Sequence, residues 1–461
     1  MTQFDLIVFG GGTGNTVASA AAAEGLETAL VEKGPLGGLC LNRGCNPSKM
    51  LIQHANVANQ VRNADRFGID ATIDEIRFGE FVRAVNAELA DAASSKETNK
   101  REEEHLTLFQ QEARFVDDRT IEIVENGETH TAEKVVIAAG SRPVVPDAID
   151  GLADVDYLTS DDAIRLETPP DRLVVLGGGY IAAELGYFFE SFGTDVALIE
   201  MEDSLVSRED DEVAAAFTEI AADRHDVHTG HRASSVAKSD GEITVTAESE
   251  NGDEVAVSGD ELLVALGRRP NTDGIDLDAT SVETTDAGFI ATDERLRTNV
   301  ENVWAMGDIA DNGMFKHSGD YEGEVMIDNV ARESERVADF TALPHAVFTE
   351  PQIGAVGETE SALDDSGREY VVGRAEFTDT AMSRALKLDH GFAKVLADPD
   401  TREILGCHVI GHEASMLIHE VTPAIRYGAT VDDLANTLIH AHPSMSKVVM
   451  KACKDVPESV E

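Results

Sequence analysis

Two glycine-rich turns, each joining an apolar strand to a helix, constrain this chain more than any other feature. Residues 4–9 (FDLIVF) run into Gly10, Gly11, Gly12, Thr13 and Gly14, then into the Ala-rich stretch Ala18 to Ala23. Residues 173–176 (LVVL) run into Gly177, Gly178 and Gly179, then into Ile181 to Phe189. An acid follows each turn at about 20 residues, Glu32 in the first copy and Glu200 in the second. This is the dinucleotide-binding fingerprint, present twice. The first glycine (Gly10, Gly177) makes the tight turn. The second (Gly12, Gly179) lets backbone approach a pyrophosphate, and the helix N-terminus holds the phosphate charge. The third small position is Ala182 in one copy and Asn15 in the other. Asn15 predicts slightly wider helix–strand packing.

A second duplication supports the first. Residues 135–143 (VVIAAGSRP) resemble 262–270 (LLVALGRRP). Each is a buried strand that ends in a glycine, Gly140 or Gly267, and a basic turn. Each lies after its own fingerprint, so one nucleotide domain is nested in another. The expected units are 1–147 with 273–342, the insert 148–272, and a third unit 343–461 opened by Pro344, Pro351 and a turn at Gly354. Residues 298–308 read as a strand ending in Gly307 and Asp308. An acid at the carboxyl end of a parallel strand faces the ligand crevice. The charged stretch 81–115 reads as one long helix with a solvated face. The expected fold class is α/β, with two Rossmann-like dinucleotide-binding domains, one inserted in the other, and a C-terminal α+β domain.

Charge bounds the partners. Of 461 residues, 37 are Lys or Arg and 87 are Asp or Glu, for a formal charge of −50; Lys accounts for only 12. Nucleic acid and anionic membranes need basic clusters that such a chain lacks. The acids run along the whole sequence, as in proteins of salt-loving organisms, where molar salt shortens the Debye length to about 3 Å and screens self-repulsion. Hydrophobic residues still make up 42%, enough for packed cores. No apolar run approaches the roughly 20 residues needed to span a bilayer. No signal peptide precedes the first strand, so a cytoplasmic location is expected.

Cys40 and Cys45 stand close together in GLCLNRGCNPSK. In a regular helix their Cα atoms would lie roughly 8.6 Å apart, beyond the about 7 Å a disulfide tolerates. A bridge therefore requires a distorted segment, and Gly44 and Pro47 supply that freedom. A helix starting just after the second cysteine would favour a thiolate. Zinc is the rival reading, but it wants four ligands and no second pair with suitable spacing is present. Redox chemistry is favoured, and no metal is expected.

The GGGTGN turn, CLNRGCNPSK, GGGYIAAELG, AMGD and HAHP together resemble the pyridine nucleotide–disulfide oxidoreductase family, in order and over essentially the whole length. The resemblance implies FAD bound by Gly10, Gly12, Gly14, Glu32, Gly140 and Asp308. It implies NADPH or NADH held by Gly177, Gly179, Glu200 and Gly267. It also implies a redox disulfide in which Cys45 lies against the flavin and Cys40 exchanges with substrate. Lys49 and Glu184 would pair beside the flavin. His442, acting from the other subunit of a homodimer, would be the general acid, with His440 the near alternative. One position departs: Lys447 replaces the Glu that orients this histidine in the family.

The absence of a C-terminal cysteine pair argues against mercuric reductase and the large thioredoxin reductases. Asn15 and the Lys316–His317 pair resemble mycothione reductase, and Asn46 replaces an apolar residue usual at its position. The expected substrate is a small soluble disulfide, bis-γ-glutamylcystine first, with dihydrolipoamide dehydrogenase activity as the runner-up. An inactive flavin-binding protein is disfavoured by the retained cysteine pair. Glu200 favours NADH, while the small-disulfide reading favours NADPH and would have Arg208 reach its 2′-phosphate.

Overall fold

A computed structural model describes residues 2–458. Met1 and residues 459–461, with which the first and last expected units begin and end, lie outside the described residues. The chain opens with β1 (Thr2–Phe9), α1 (Gly14–Ala23) and β2 (Thr28–Val31). Helices α2 (Gly38–Arg43), α3 (Cys45–Arg62) and α4 (Phe78–Glu102) follow. Then come β3 (Leu106–Phe109), β4 (Ala113–Asp117), β5 (Thr120–Ile123), β6 (Thr129–Ile137) and β7 (Ser141–Pro143). In the sheet the order is β3-β2-β1-β6-β5-β4, parallel from β3 to β6 and antiparallel beyond. Leu6 and Val8 pack on the α1 side of β1 and Ile7 and Phe9 on the other. Burial on both faces explains why the strand reads as a continuous apolar run.

The inserted unit contains α5 (Ser160–Ala163), β8 (Arg172–Leu176), α6 (Tyr180–Glu190), β9 (Asp195–Ile199), α7 (Asp211–Ala222) and β10 (Asp226–His228). An antiparallel sheet of β11 (His231–Ser239), β12 (Glu242–Ser249) and β13 (Glu254–Gly259) leads to β14 (Glu261–Val264), which joins β8 in the parallel order β10-β9-β8-β14. On leaving the insert, β15 (Arg268–Pro270) pairs antiparallel with β7, Arg269 opposite Arg142. The two matching sequence segments therefore meet in space as one ribbon. Strand β16 (Val303–Ala305) then returns to the first sheet beside β6, and α8 (Lys316–Met326) follows.

The C-terminal unit is a five-stranded antiparallel sheet, built from β17 (His345–Val347), β18 (Gln352–Gly357), β19 (Val371–Glu376), β20 (Phe392–Ala397) and β21 (Ile404–Gly411). Short helices α9 (Glu360–Ser366) and α10 (Ala381–Ala385) join its strands. Helix α11 (Ala414–Arg426) packs on β18 and β21, and α12 (Lys447–Asp455) on β19 and β20.

Three local expectations need correction. The charged stretch 81–115 is not one helix: α4 ends at Glu102, and β3 and β4 follow. Glu102, Glu103 and Glu104 place negative charge at the negative end of the helix dipole, which opposes continuation. Gly354 is not a turn but lies inside β18, where a Cβ would come within 2.4 Å of the Ala414 carbonyl. It is there so that α11 can approach. The close approach of α1 to the sheet, expected to loosen at Asn15, is made by Gly14, whose added Cβ would sit 2.9 Å from Val8 Cγ1. Asn15 instead turns its amide back onto the carbonyls of Gly11 and Gly12.

The acid load lies almost wholly outside. Among the described residues four acids are buried: Glu184, Glu209, Asp210 and Glu322. Each has a partner: Lys49 for Glu184, His345 for Glu209, Lys394 for Asp210 and the Gly307 N–H for Glu322. The charge of −50 is thus a property of the solvated surface.

Candidate active site

The cysteines sit where a glycine breaks a helix in two. Helix α2 ends at Arg43, Gly44 adopts φ −135° and ψ −117°, and α3 begins at Cys45. The distortion expected from the spacing is therefore present, and Gly44 makes it. The start of α2 is fixed against the first glycine turn: Gly38 has φ +61°, and a Cβ there would come within 2.5 Å of Gly12 Cα. That contact places Cys40 beside the nucleotide turn.

Cys40 and Cys45 are free thiols in this structure, and each shifts the other's ionisation. The interaction with Cys40 and the nearby Lys49 ammonium bring Cys45 down to about 7. Cys40 is pushed up, first by its interaction with Cys45 and then by burial. Of the two, Cys45 is the thiolate. The thiols of Cys407 and Cys453 are raised by burial, Cys453 to about 12, and do not titrate near neutrality. Thiolate absorbance of the reduced protein should therefore rise with a midpoint of about 7, fading as pH falls below it, and Lys49→Met should move the midpoint upward.

Lys49 is one helical turn beyond Cys45, and its Nζ meets Glu184 Oε2 from α6. Glu184 Oε1 accepts the Phe348 N–H at 3.0 Å, and the Phe348 ring lies 5.0 Å from the ammonium. The pair ties α3, the inserted unit and the C-terminal unit together.

The first nucleotide turn has the shape its fingerprint predicts. Gly10 has φ +116°, and a Cβ there would lie 2.1 Å from the Ala138 carbonyl. Glu32 accepts from Gly11 and Gly34 N–H, both at 2.8 Å. A cavity of about 370 Å³ opens beside it, lined by Gly10, Glu32, Ser141, Arg142 and Arg268 among others. At its edge Asp308 Oδ2 accepts from Ser141 Oγ at 2.6 Å, and Arg268 Nε donates to the same hydroxyl at 2.8 Å. A glycine floor, an acid held in place by backbone N–H groups, and arginines form a donor set that fits FAD. Gly12, Gly14, Gly140 and Asp308 lie at or beside this cradle.

The second turn repeats the first. Gly177 has φ +108°, with an added Cβ 2.5 Å from the Ala265 carbonyl. Gly178 N–H donates to Glu200 Oε2, and Glu202 N–H to Glu200 Oε1 at 2.9 Å. Gly179 caps α6, and Gly267 leads into β15. Glu202 and Asp203 follow Glu200 and are exposed, while Arg208 makes no ion pair among the described residues.

His442 is exposed and makes no hydrogen bond among the described residues, so the single chain does not join it to the cysteines. His440 is engaged elsewhere, its Nε2 2.8 Å from Glu420 Oε1 on α11. Lys447 is the first residue of α12.

The residues 4–330 match the family model of the pyridine nucleotide-disulphide oxidoreductases, and 343–453 match the model of their dimerisation domain. This chain belongs to that family. It is 39% identical to a dihydrolipoyl dehydrogenase of Haloferax volcanii, over 98% of this chain and 96% of the relative. It is 34% identical to a mycothione reductase of Mycobacterium tuberculosis, over 98% and 99%. Among solved structures it superposes on the HOCl-induced flavoprotein disulfide reductase RclA from Escherichia coli, with a TM-score of 0.85, 25% identity and coverage of 98% and 99%. The family makes the chain an NAD(P)H-dependent flavoprotein disulfide oxidoreductase with FAD as cofactor. No helix among the described residues is long and apolar enough to cross a membrane.

Several groups escaped the sequence reading. Ser141 and Arg268 lie in the repeated strand-and-turn segments, so that repeat could have flagged them. Glu322 is buried under Gly307 and pushed up to about 7, mainly by that burial. Lys316, at the start of α8, acts electrostatically on Cys40. Only the fold brings Lys316 to Cys40.

Proposed function

We propose that this oxidoreductase is an NAD(H)-linked dihydrolipoyl dehydrogenase working as a homodimer, so that the runner-up expectation takes precedence over a small-peptide disulfide. The observation that carries the nucleotide reading is Glu200, held by Gly178 and Glu202 N–H just as Glu32 is held by Gly11 and Gly34. Its carboxylate suits ribose hydroxyls and, with Glu202 and Asp203 beside it, repels a 2′-phosphate. The haloarchaeal relatives, from organisms whose salt suits the surface described above, support the substrate reading.

Bound FAD would carry two electrons between the nicotinamide and the cysteine pair. The rest is done by side chains. A substrate thiolate attacks Cys40 of the oxidised pair, the Cys40–Cys45 bond breaks, and Cys45 leaves with the electron pair as a thiolate near Lys49. The remaining substrate thiol gives its proton to His442 of the partner subunit and attacks the substrate sulfur joined to Cys40. That closes the substrate's disulfide ring and releases Cys40. In reverse, the same histidine protonates the leaving thiol.

A second reading rests on Lys316, which pairs with Asp320 and whose charge also acts on Cys40. A cation there suits a disulfide bearing carboxylates, such as bis-γ-glutamylcystine. A turnover panel in molar KCl decides between the two. Lipoamide, bis-γ-glutamylcystine, oxidised glutathione and Hg(II) are each assayed with NADH and NADPH. Lipoamide should give the highest kcat/KM, and NADH should exceed NADPH by roughly a hundredfold, the scale of a like-charge clash. Faster turnover of bis-γ-glutamylcystine would overturn the dihydrolipoyl assignment.

A further inference from the structure

Asn46 stands at the second residue of α3, where a helix has unused N–H groups. Gly44 offers no capping side chain, and Pro47 has no N–H to give. Cys40 lies against this first turn, and its S–H points at Asn46 Oδ1 across 3.5 Å. The Asn46 side chain is exposed and has no other hydrogen-bond partner among the described residues, so packing does not explain it. Valine could hold the helix equally well but could neither accept from nor donate to the sulfur. Aspartate could accept but not donate. An amide does both, because its oxygen and nitrogen exchange places by rotation about one bond.

We propose that Asn46 is a catalytic residue that serves Cys40 in both protonation states. Oδ1 accepts from the thiol, and after half a turn Nδ2 donates to the thiolate. In thiol–disulfide exchange, when the bond between Cys40 and a substrate sulfur breaks in favour of a substrate disulfide, the electron pair stays on Cys40. Asn46 then donates a hydrogen bond to that anion without transferring a proton. In the opposite direction the same bond holds the attacking thiolate before the Cys40–substrate bond forms. The charge-assisted bond to the thiolate is the stronger of the two, so the net effect favours ionisation. The other charged or titratable groups around the pair are Cys45 and Lys49 on α3, Glu184 on α6, Arg268 on β15 and Lys316 on α8, and all are left unchanged in the test. The inference rests on the thiol chemistry alone, whichever disulfide is the substrate.

The test uses the NADH-reduced holoenzyme and the pH dependence of iodoacetamide alkylation. Trypsin cuts after Arg43, so Cys40 and Cys45 fall in different peptides and are read separately by mass spectrometry. Asn46→Val should raise the midpoint for Cys40 by about one pH unit and slow its alkylation near neutrality about tenfold. Asn46→Asp should slow it at least as much, because a carboxylate cannot donate and repels the anion. Flavin content checks that each variant is folded, and either variant alone suffices. A Cys40 midpoint equal to wild type in Asn46→Val, or alkylation of Asn46→Asp as fast as wild type, would overturn the proposal.

Discussion

Replacing Cys45 by serine should lower disulfide turnover more than about a thousandfold while flavin content stays at the wild-type level. The loss follows from the division of labour at the Gly44 break. Cys40 can still attack a substrate disulfide, because its sulfur and its contacts with Asn46 are intact. A serine hydroxyl neither forms S–S bonds nor ionises near neutral pH, so the mixed disulfide cannot go forward to reduced product; with lipoamide the ring-opened substrate thiol can only close the ring again and release Cys40 unchanged. With an acyclic disulfide, whose other half departs, the variant should instead accumulate one substrate half on Cys40, visible as added mass on the peptide ending at Arg43. Flavin retention follows because the cradle is built from Gly10, Glu32, Ser141 and Arg268 rather than from Cys45. Turnover that survived in Cys45→Ser would mean that electrons bypass the pair.

His442→Gln should cost about 10²–10⁴-fold in turnover, the usual range for a lost general acid–base group. The contrast with His440 makes the measurement decisive. His440 is held by Glu420 and should tolerate replacement with glutamine at less than about a tenfold loss in rate, as a supporting rather than a proton-transferring group. Mixed dimers test the cross-subunit geometry. Co-expressed Cys45→Ser and His442→Gln chains should regain activity, since each mixed dimer assembles one site from two intact halves. No recovery would place the histidine in the same subunit as its cysteines. Lys447, at the start of α12, cannot accept the imidazole N–H.

Features dictated by local chemistry could be read in the sequence. Gly10 and Gly177 need positive φ, and any side chain there would collide with a carbonyl, so the turns announce themselves. Gly44 was recognisable because two cysteines five apart cannot meet on a continuous helix. Lys49 and Glu184, far apart in sequence, were found only through their motif positions, and the structure joins them. What could not be read depends on neighbours distant along the chain. Strands β3 and β4 were hidden by charges that a surface helix would also carry. Gly354 resembled a turn because the α11 backbone it accommodates lies about sixty residues later. Lys316, whose charge acts on Cys40, and Glu420 beside His440 have no local signature at all.

The pairing of β7 with β15 also bears on how such a chain assembles. An insertion normally lengthens the loop that its host must close, and closure entropy grows with loop length. Here the strand leading into the insert and the strand leading out are clasped side by side, Ser141 opposite Pro270. Once that clasp forms, the host sheet sees a short hairpin in place of the whole inserted unit. Strand β16 can then find β6 as if the two were near neighbours. The clasp also carries Ser141 and Arg268, so the contact that shortens the folding path is the one that shapes the wall of the cavity beside Asp308.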